Sequence, residues 1–182
     1  MHVRVPLVWS WLEWKPGYTW KKKITPQLKK AGIQIASLDR CVYVIRANGI
    51  FAISYPKKPS PVLYIGEGNF QQRITSHKWW LGDLINLVRD YSFYIGVAIP
   101  RVKKNDEAYK DCEAALILEF HRMHGAAPLL NKQLEMRRND YEYSQRGIKE
   151  ALQIGKGVRY HWALTPMRAS GLYDTYRKTI VP

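Results

Sequence analysis

Cysteine is nearly absent from this chain of 182 residues: only Cys41 and Cys112 occur, and no CxxC unit joins them. A disulfide scaffold or a zinc knuckle is therefore excluded, and a reducing compartment is compatible. Long apolar runs are missing as well. The stretch from Val5 to Leu12 stops at Glu13 and carries no small-residue cleavage site, so neither a membrane span nor a secretory leader is expected. The expected location is the cytoplasm. The chain has no internal repeat and no low-complexity segment. Acidic side chains are few, with 15 Asp and Glu against 29 Lys and Arg.

The resulting net charge of +14 is unevenly spread. Residues 1–40 hold eight basic and two acidic side chains, and residues 132–182 hold ten and five. The flanks thus carry +6 and +5, leaving +3 for residues 41–131. A surface this basic attracts polyanions and releases their counterions, which favours nucleic acid as the partner. With 46% apolar residues the chain has enough material for a packed core.

Residues 1–40 form a basic, aromatic arm in which Trp9, Trp11, Trp14, Tyr18 and Trp20 lead into Lys21, Lys22 and Lys23. Rings could stack on bases while lysines neutralise phosphates. Packing of the tryptophans onto the core is the preferred reading, since a Trp anchors an arm by burial alone. Further on, CVYVIR (41–46), VLYIG (62–66) and 91–99 read as strands. PKKPSP (56–61) must be a loop. Asn69 is a helix cap, with a helix expected to about 81 and a short one through 88. A longer helix should start after Asn105–Glu107, end near Met123 and be closed by Gly125. Another is expected over 141–154.

Four pieces stand in order: CVYVIR, LYIGEGNFQQRITSH, a helix containing EAALILEF, and APLLN. This succession resembles the GIY-YIG nuclease superfamily, over roughly residues 41–131. The resemblance implies an α+β fold with a small three-stranded antiparallel sheet flanked by helices. It also implies a site made of two tyrosines, an arginine and a metal-binding glutamate with one divalent cation, Mg²⁺ or Mn²⁺. On this chain those residues are Tyr43, Tyr64, Arg73 and Glu119, with His77 assisting. Glu119 is chosen over Glu113 because it stands twelve before Asn131, the family's spacing; Glu113 then becomes a surface residue.

The chemistry of these residues agrees. A phenol near a cation or an arginine loses its proton more readily and can activate water, a role assigned to Tyr43. Arg73 and His77, four apart on a helix, share a face, and a guanidinium matches a phosphate. Gly66 and Gly68 would let the backbone approach a phosphate, Asn131 would fix its loop, and Lys21, Lys22 and Lys23 would bind the backbone of the substrate. Three departures stand out. Cys41 replaces a glycine, Tyr43 and Tyr64 lie 21 apart rather than about ten, and Glu67 takes a place that is often basic. A second register, through Gly49–Phe51, would lack the first phenol and leave a silent binding module. His121 and His124 offer two zinc-ligand types without a third.

The function expected from these features is a metal-dependent DNA endonuclease of restriction or defence type, acting on double-stranded DNA. Residues 1–40 and the basic extension 132–182 would bind DNA, and the insert Phe51–Pro61 would set sequence preference. Cutting both strands would require a homodimer, with 141–154 as the contact. The alternatives are a non-catalytic nucleic-acid binder on the same fold and a basic structural protein.

Overall fold

The computed structural model describes residues 3–48, 51–76, 92–131, 136–152 and 160–177. The N-terminal arm contributes β1 (Arg4–Val5), β2 (Ser10–Trp14) and a short helix α1 (Thr25–Lys30), preceded by a wide helical turn at Trp20–Ile24. The central segment holds β3 (Cys41–Asn48), β4 (Phe51–Ile53), β5 (Val62–Gly68), α2 (70–76), β6 (Ser92–Ala98) and α3 (Ala108–His124). The C-terminal extension adds β7 (Glu142–Tyr143), α4 (Gln145–Leu152), β8 (Trp162–Leu164) and α5 (Tyr173–Arg177).

The fold is α+β, as expected, but its main sheet has four strands rather than three. The order is β2-β6-β3-β5, antiparallel throughout. The additional strand is β2, which pairs with β6 from Ser10↔Val97 to Trp14↔Phe93. An arm rich in Trp, with apolar residues at alternate positions, covers the β6 edge that would otherwise present unpaired backbone groups. Of two small parallel pairs, β1-β7 joins the two flanks to each other and β4-β8 joins the C-terminal extension to the centre. Strand β3 lies inside the sheet, and Cys41 through Ile45 are wholly buried. The burial of Cys41 pushes its thiol up to about 12, consistent with an inert core role.

The helix signals are realised locally. The Oδ1 of Asn69 accepts from the Gln72 N–H at 2.9 Å, and Asn105 does the same for the Glu107 N–H. Gly125 ends α3 at φ +81°, a left-handed conformation that suits glycine, and donates to the His121 carbonyl. The expected helix through 88 and residues 153–154 lie outside the described residues.

The tryptophans of the arm are structural. The Nε1 of Trp9 donates to the Gly147 carbonyl at 2.9 Å, and Trp14 is buried against Phe93. Trp11 lies across Gly96, where a side chain would collide with its indole. The Arg46 guanidinium stacks 3.5 Å over the same ring and donates to the carbonyls of Glu150 and Ala151 at the end of α4. Its charge is thereby held at a helix C-terminus. Burial pushes its pKa down to about 10.

Two expected segments meet this packing. Gly147, Ala151 and Leu152 of α4 are buried, with Leu7 of the arm tight against Gly147, so part of the segment 141–154 expected as a dimer contact packs within the chain. The insert 51–61 is also largely core: Phe51, Ala52, Ile53, Tyr55 and Ser60 are buried, and only residues 56–59 are exposed. Tyr55 donates to the Val62 carbonyl at 2.7 Å and accepts from the Leu129 N–H at 2.9 Å. Among the described residues, no helix is long and apolar enough to cross a membrane.

Candidate functional site

Adjacent strands bring the two tyrosines together. Tyr43 on β3 stands opposite Gly66 on β5, and Tyr64 lies two residues before Gly66 on the same face. The rings meet with centroids 5.9 Å apart. A Cβ on Gly66 would fall 2.5 Å from the Tyr43 Oη and would also strike the Tyr64 ring. Gly66 is therefore required by the phenols lying over it, and the space above its backbone is already filled before any phosphate arrives. The same register decides between the two tyrosine alignments: Tyr43 holds the partner position, while Phe51 is buried in β4.

The two phenols are not equivalent. Tyr43 is wholly buried and Tyr64 only partly. Burial, then the neighbouring Tyr64, hold the Tyr43 proton far above its usual range; Arg73 opposes the rise and Glu113 adds to it. Tyr64 is also raised, by burial first and Glu113 second, while a hydrogen bond from Tyr43 and the charge of Arg73 pull it down. Tyr43, the more deeply buried of the two, is held the further above its usual range, so Tyr64 is the phenol better suited to lose a proton.

The glutamate that lies with the phenols is Glu113, while Glu119 lies elsewhere on the helix. Glu113 on α3 is 6% exposed, not a surface residue, and its charge acts on both tyrosines. Glu119 lies six residues on, about 240° further round the helix. There its carboxylate takes two bonds from Arg122, at 2.6 and 2.9 Å. The bond to Arg122 and the charges of Arg122 and Lys58 hold Glu119 below the usual carboxylate range. The spacing of twelve to Asn131 is therefore not a guide in this chain. The Asn131 amide is spent on one residue: it accepts from the Ile65 N–H at 3.0 Å and donates to the Ile65 carbonyl at 2.6 Å. Asn131 thereby clamps β5 beside Tyr64 and Gly66.

Arg73 extends from α2, half exposed, with its Nη2 3.5 Å from the Glu67 Oε1 and its Nε near Gly68. Gly68 has φ +99°, which only glycine adopts without strain, and this bend turns the chain from β5 into α2. His77 lies outside the described residues. Lys21, Lys22 and Lys23 are exposed on a turn capped by Thr19. Trp20 anchors that turn against Phe70, whose ring meets Tyr43 at 5.8 Å. The turn that carries the lysines is thus linked to Tyr43 through the ring of Phe70. His124 is buried, stacked on Phe120 and bonded to the Lys58 carbonyl, a packing role rather than a zinc ligand.

In the sequence Glu113 reads as a surface residue, Glu67 only as a departure from the family pattern, and Tyr109 carries no motif. The signal for the first lay in helical phase: Tyr109 and Glu113, four apart, share a face of α3, and Cys112, Leu116 and Phe120 beside them are core. Tyr109 is raised by burial and then by Glu67, with Lys110 and Arg40 opposing. The resulting group is two phenols, one buried carboxylate and one solvent-facing guanidinium. Such a group can hold an anion at Arg73, accept a proton at Tyr64 and offer hard oxygen atoms to a cation. Comparison with known proteins gives no match: no family model, no curated protein and no solved structure matches this chain.

Proposed function

We propose that this protein is a divalent-cation-dependent endonuclease that hydrolyses DNA phosphodiesters with a GIY-YIG-type site. A restriction or defence role is the biological setting that suits its size and basic flanks. The observation that carries the reading is the tyrosine pair over Gly66 with Arg73 and Glu113 acting on both phenols. A protein that merely binds DNA has little use for a buried acid beside two buried hydroxyls, because that acid repels phosphate.

Glu113 and Tyr64 would hold Mg²⁺ or Mn²⁺. Among the described residues no group of three or more His, Cys, Asp or Glu side chains comes together. A single carboxylate with phenolic oxygen suits a small hard ion that keeps most of its waters. Once bound, such an ion would add positive charge at the phosphate and favour ionisation of nearby hydroxyls. Arg73 would bind the non-bridging oxygens and stabilise the charge that grows on them. Tyr64, already ionised and steadied as its phenolate by the hydrogen bond with Tyr43, would take the proton of the attacking water and become the neutral phenol, while the departing ester oxygen takes a proton from solvent.

Cleavage of plasmid with and without Mg²⁺ tests this reading directly; equal products in EDTA would end it. The pH profile tests the roles of the phenols. Burial and Glu113 raise Tyr64, so the rate should climb with pH while its phenolate form accumulates. Tyr43→Phe removes the bond that lowers Tyr64 and should move the climb to higher pH, whereas Tyr64→Phe should abolish it. A wild-type rate independent of pH in the alkaline range would remove Tyr64 from the role of base.

The lysine turn should act on binding alone. Every phosphate that a lysine no longer neutralises flattens the slope of log K against log salt by about 0.9. Replacing Lys21, Lys22 and Lys23 together by alanine should therefore flatten it by up to about 2.7. Fluorescence anisotropy of a labelled duplex over a salt series measures this, and an unchanged slope would place the turn away from DNA.

A further inference from the structure

A cavity of about 410 Å³ opens between the residues that lead into β3 and those that follow β6, and takes no part in the chemistry above. That volume lies within the range of small-molecule sites, about 300–1,000 Å³. Its walls include Asp39, Arg40, Ile99, Arg101, Val102 and Asp106. Two contacts tie it to the site. The Nδ2 of Asn69, the residue that caps the helix bearing Arg73, donates to the Asp39 Oδ1 at 2.7 Å. Arg40, which pairs with Asp106 at 2.8 Å, also acts electrostatically on Tyr109, one helical turn before Glu113.

The lining has the chemistry of a nucleotide. Ile99, Pro100 and Val102 form an apolar wall against which the flat face of a base can lie. Val102 and Asn105 bridge a tight turn that carries Lys103 and Lys104, both exposed, with Lys104 held at φ +64°. Arg101 stands between this cavity and a neighbouring one of about 320 Å³ lined by Val8, Ile33 and Ile99. Arg101 in the lining, with Lys103 and Lys104 on the turn between the lining residues Val102 and Asn105, supplies positive charge for the phosphate of a nucleotide. Asp39, exposed in the lining and with its Oδ1 taken by Asn69, can accept through its other oxygen from an exocyclic amino group, which cytosine, adenine and guanine have and thymine lacks.

We propose that the cavity formed by Asp39, Arg40, Ile99, Arg101 and Val102 binds one nucleotide with an amino-bearing base, splayed out of the strand next to the scissile phosphate. Its position beside the cut rests on the nuclease reading; its occupancy by a nucleotide is a separate matter and is tested without cleavage.

The four 5′-deoxynucleoside monophosphates and inorganic phosphate are titrated against the full chain while the methyl NMR signals of Ile99 and Val102 are followed. The expected result is shifts with dCMP, dAMP or dGMP, and binding of dTMP weaker by about tenfold. Ala36→Trp fills the cavity from an exposed position and should remove the shifts while the rest of the spectrum is kept. Asp39→Asn should erase the preference against dTMP. The proposal is overturned if no nucleotide moves these methyl signals, if inorganic phosphate alone produces the same shifts, or if dTMP binds equally well. Nucleotide binding by a protein that never cuts DNA would remove the nuclease reading and keep the cavity; cutting without these shifts would do the reverse.

Discussion

Glu113→Gln should lower DNA cleavage by at least about 10²-fold, while Glu119→Gln leaves it within a few-fold of wild type. The two acids share a helix, and their surroundings separate them. Glu113 is buried beside the phenols, and its charge reaches both. Gln keeps the shape but withdraws the negative charge that would hold a cation. Glu119 is occupied by Arg122 on the outer face, so its loss releases an exposed pair of the kind that contributes little, about 0–1 kcal/mol. Single-turnover cleavage with Mg²⁺ and with Mn²⁺ measures both variants. Loss of activity in Glu119→Gln with retention in Glu113→Gln would reverse the assignment. Circular dichroism on each variant keeps a folding defect from passing as a catalytic one.

Trp14→Ala should destabilise the fold by about 3–5 kcal/mol, a large share of the roughly 5–15 kcal/mol that holds a typical domain together. Trp14 ends the edge strand β2, is 4% exposed and meets the Phe93 ring at 6.0 Å. Its removal leaves a cavity between the arm and β6 that the rigid sheet cannot close. Denaturant unfolding should show the midpoint falling with little change in slope. The contrast is with Lys21, Lys22 and Lys23, a few residues away and exposed, where alanine should stay within about 0.5 kcal/mol each. A Trp14→Ala protein as stable as wild type would show that the arm is not part of the core. By the same packing, deleting residues 1–40 would test folding rather than DNA binding, because β2 and its tryptophans leave with the lysines.

Local signals in this chain were legible wherever the cause was local. The cap at Asn69, the stop at Gly125 and the strands around Tyr43, Tyr64 and Ile95 follow from side-chain chemistry within a few residues. The order of motifs was enough to pair Tyr43 with Tyr64 across an insert, because two strands of a single sheet tolerate a long connection between them. The destination of the arm was open: a Trp-rich, Lys-rich segment reads equally as a DNA clamp or as an edge strand. The distinction is whether a free sheet edge awaits it, and that belongs to β6, far away in sequence.

The sequence by itself determined an α+β chain with a strongly basic surface, an aromatic arm, and a phenol pair followed by an arginine at the head of a helix. These depend on composition and on spacings within one or two elements. Only the tertiary structure decided which glutamate lies with the phenols, which phenol is the more deeply buried, and that Asn131 serves the backbone of Ile65. Each of these depends on the rotation of α3 against the sheet and on burial. A count of residues between Glu and Asn carries no information about that angle, since turning a helix by 240° exchanges Glu113 for Glu119 without altering the sequence.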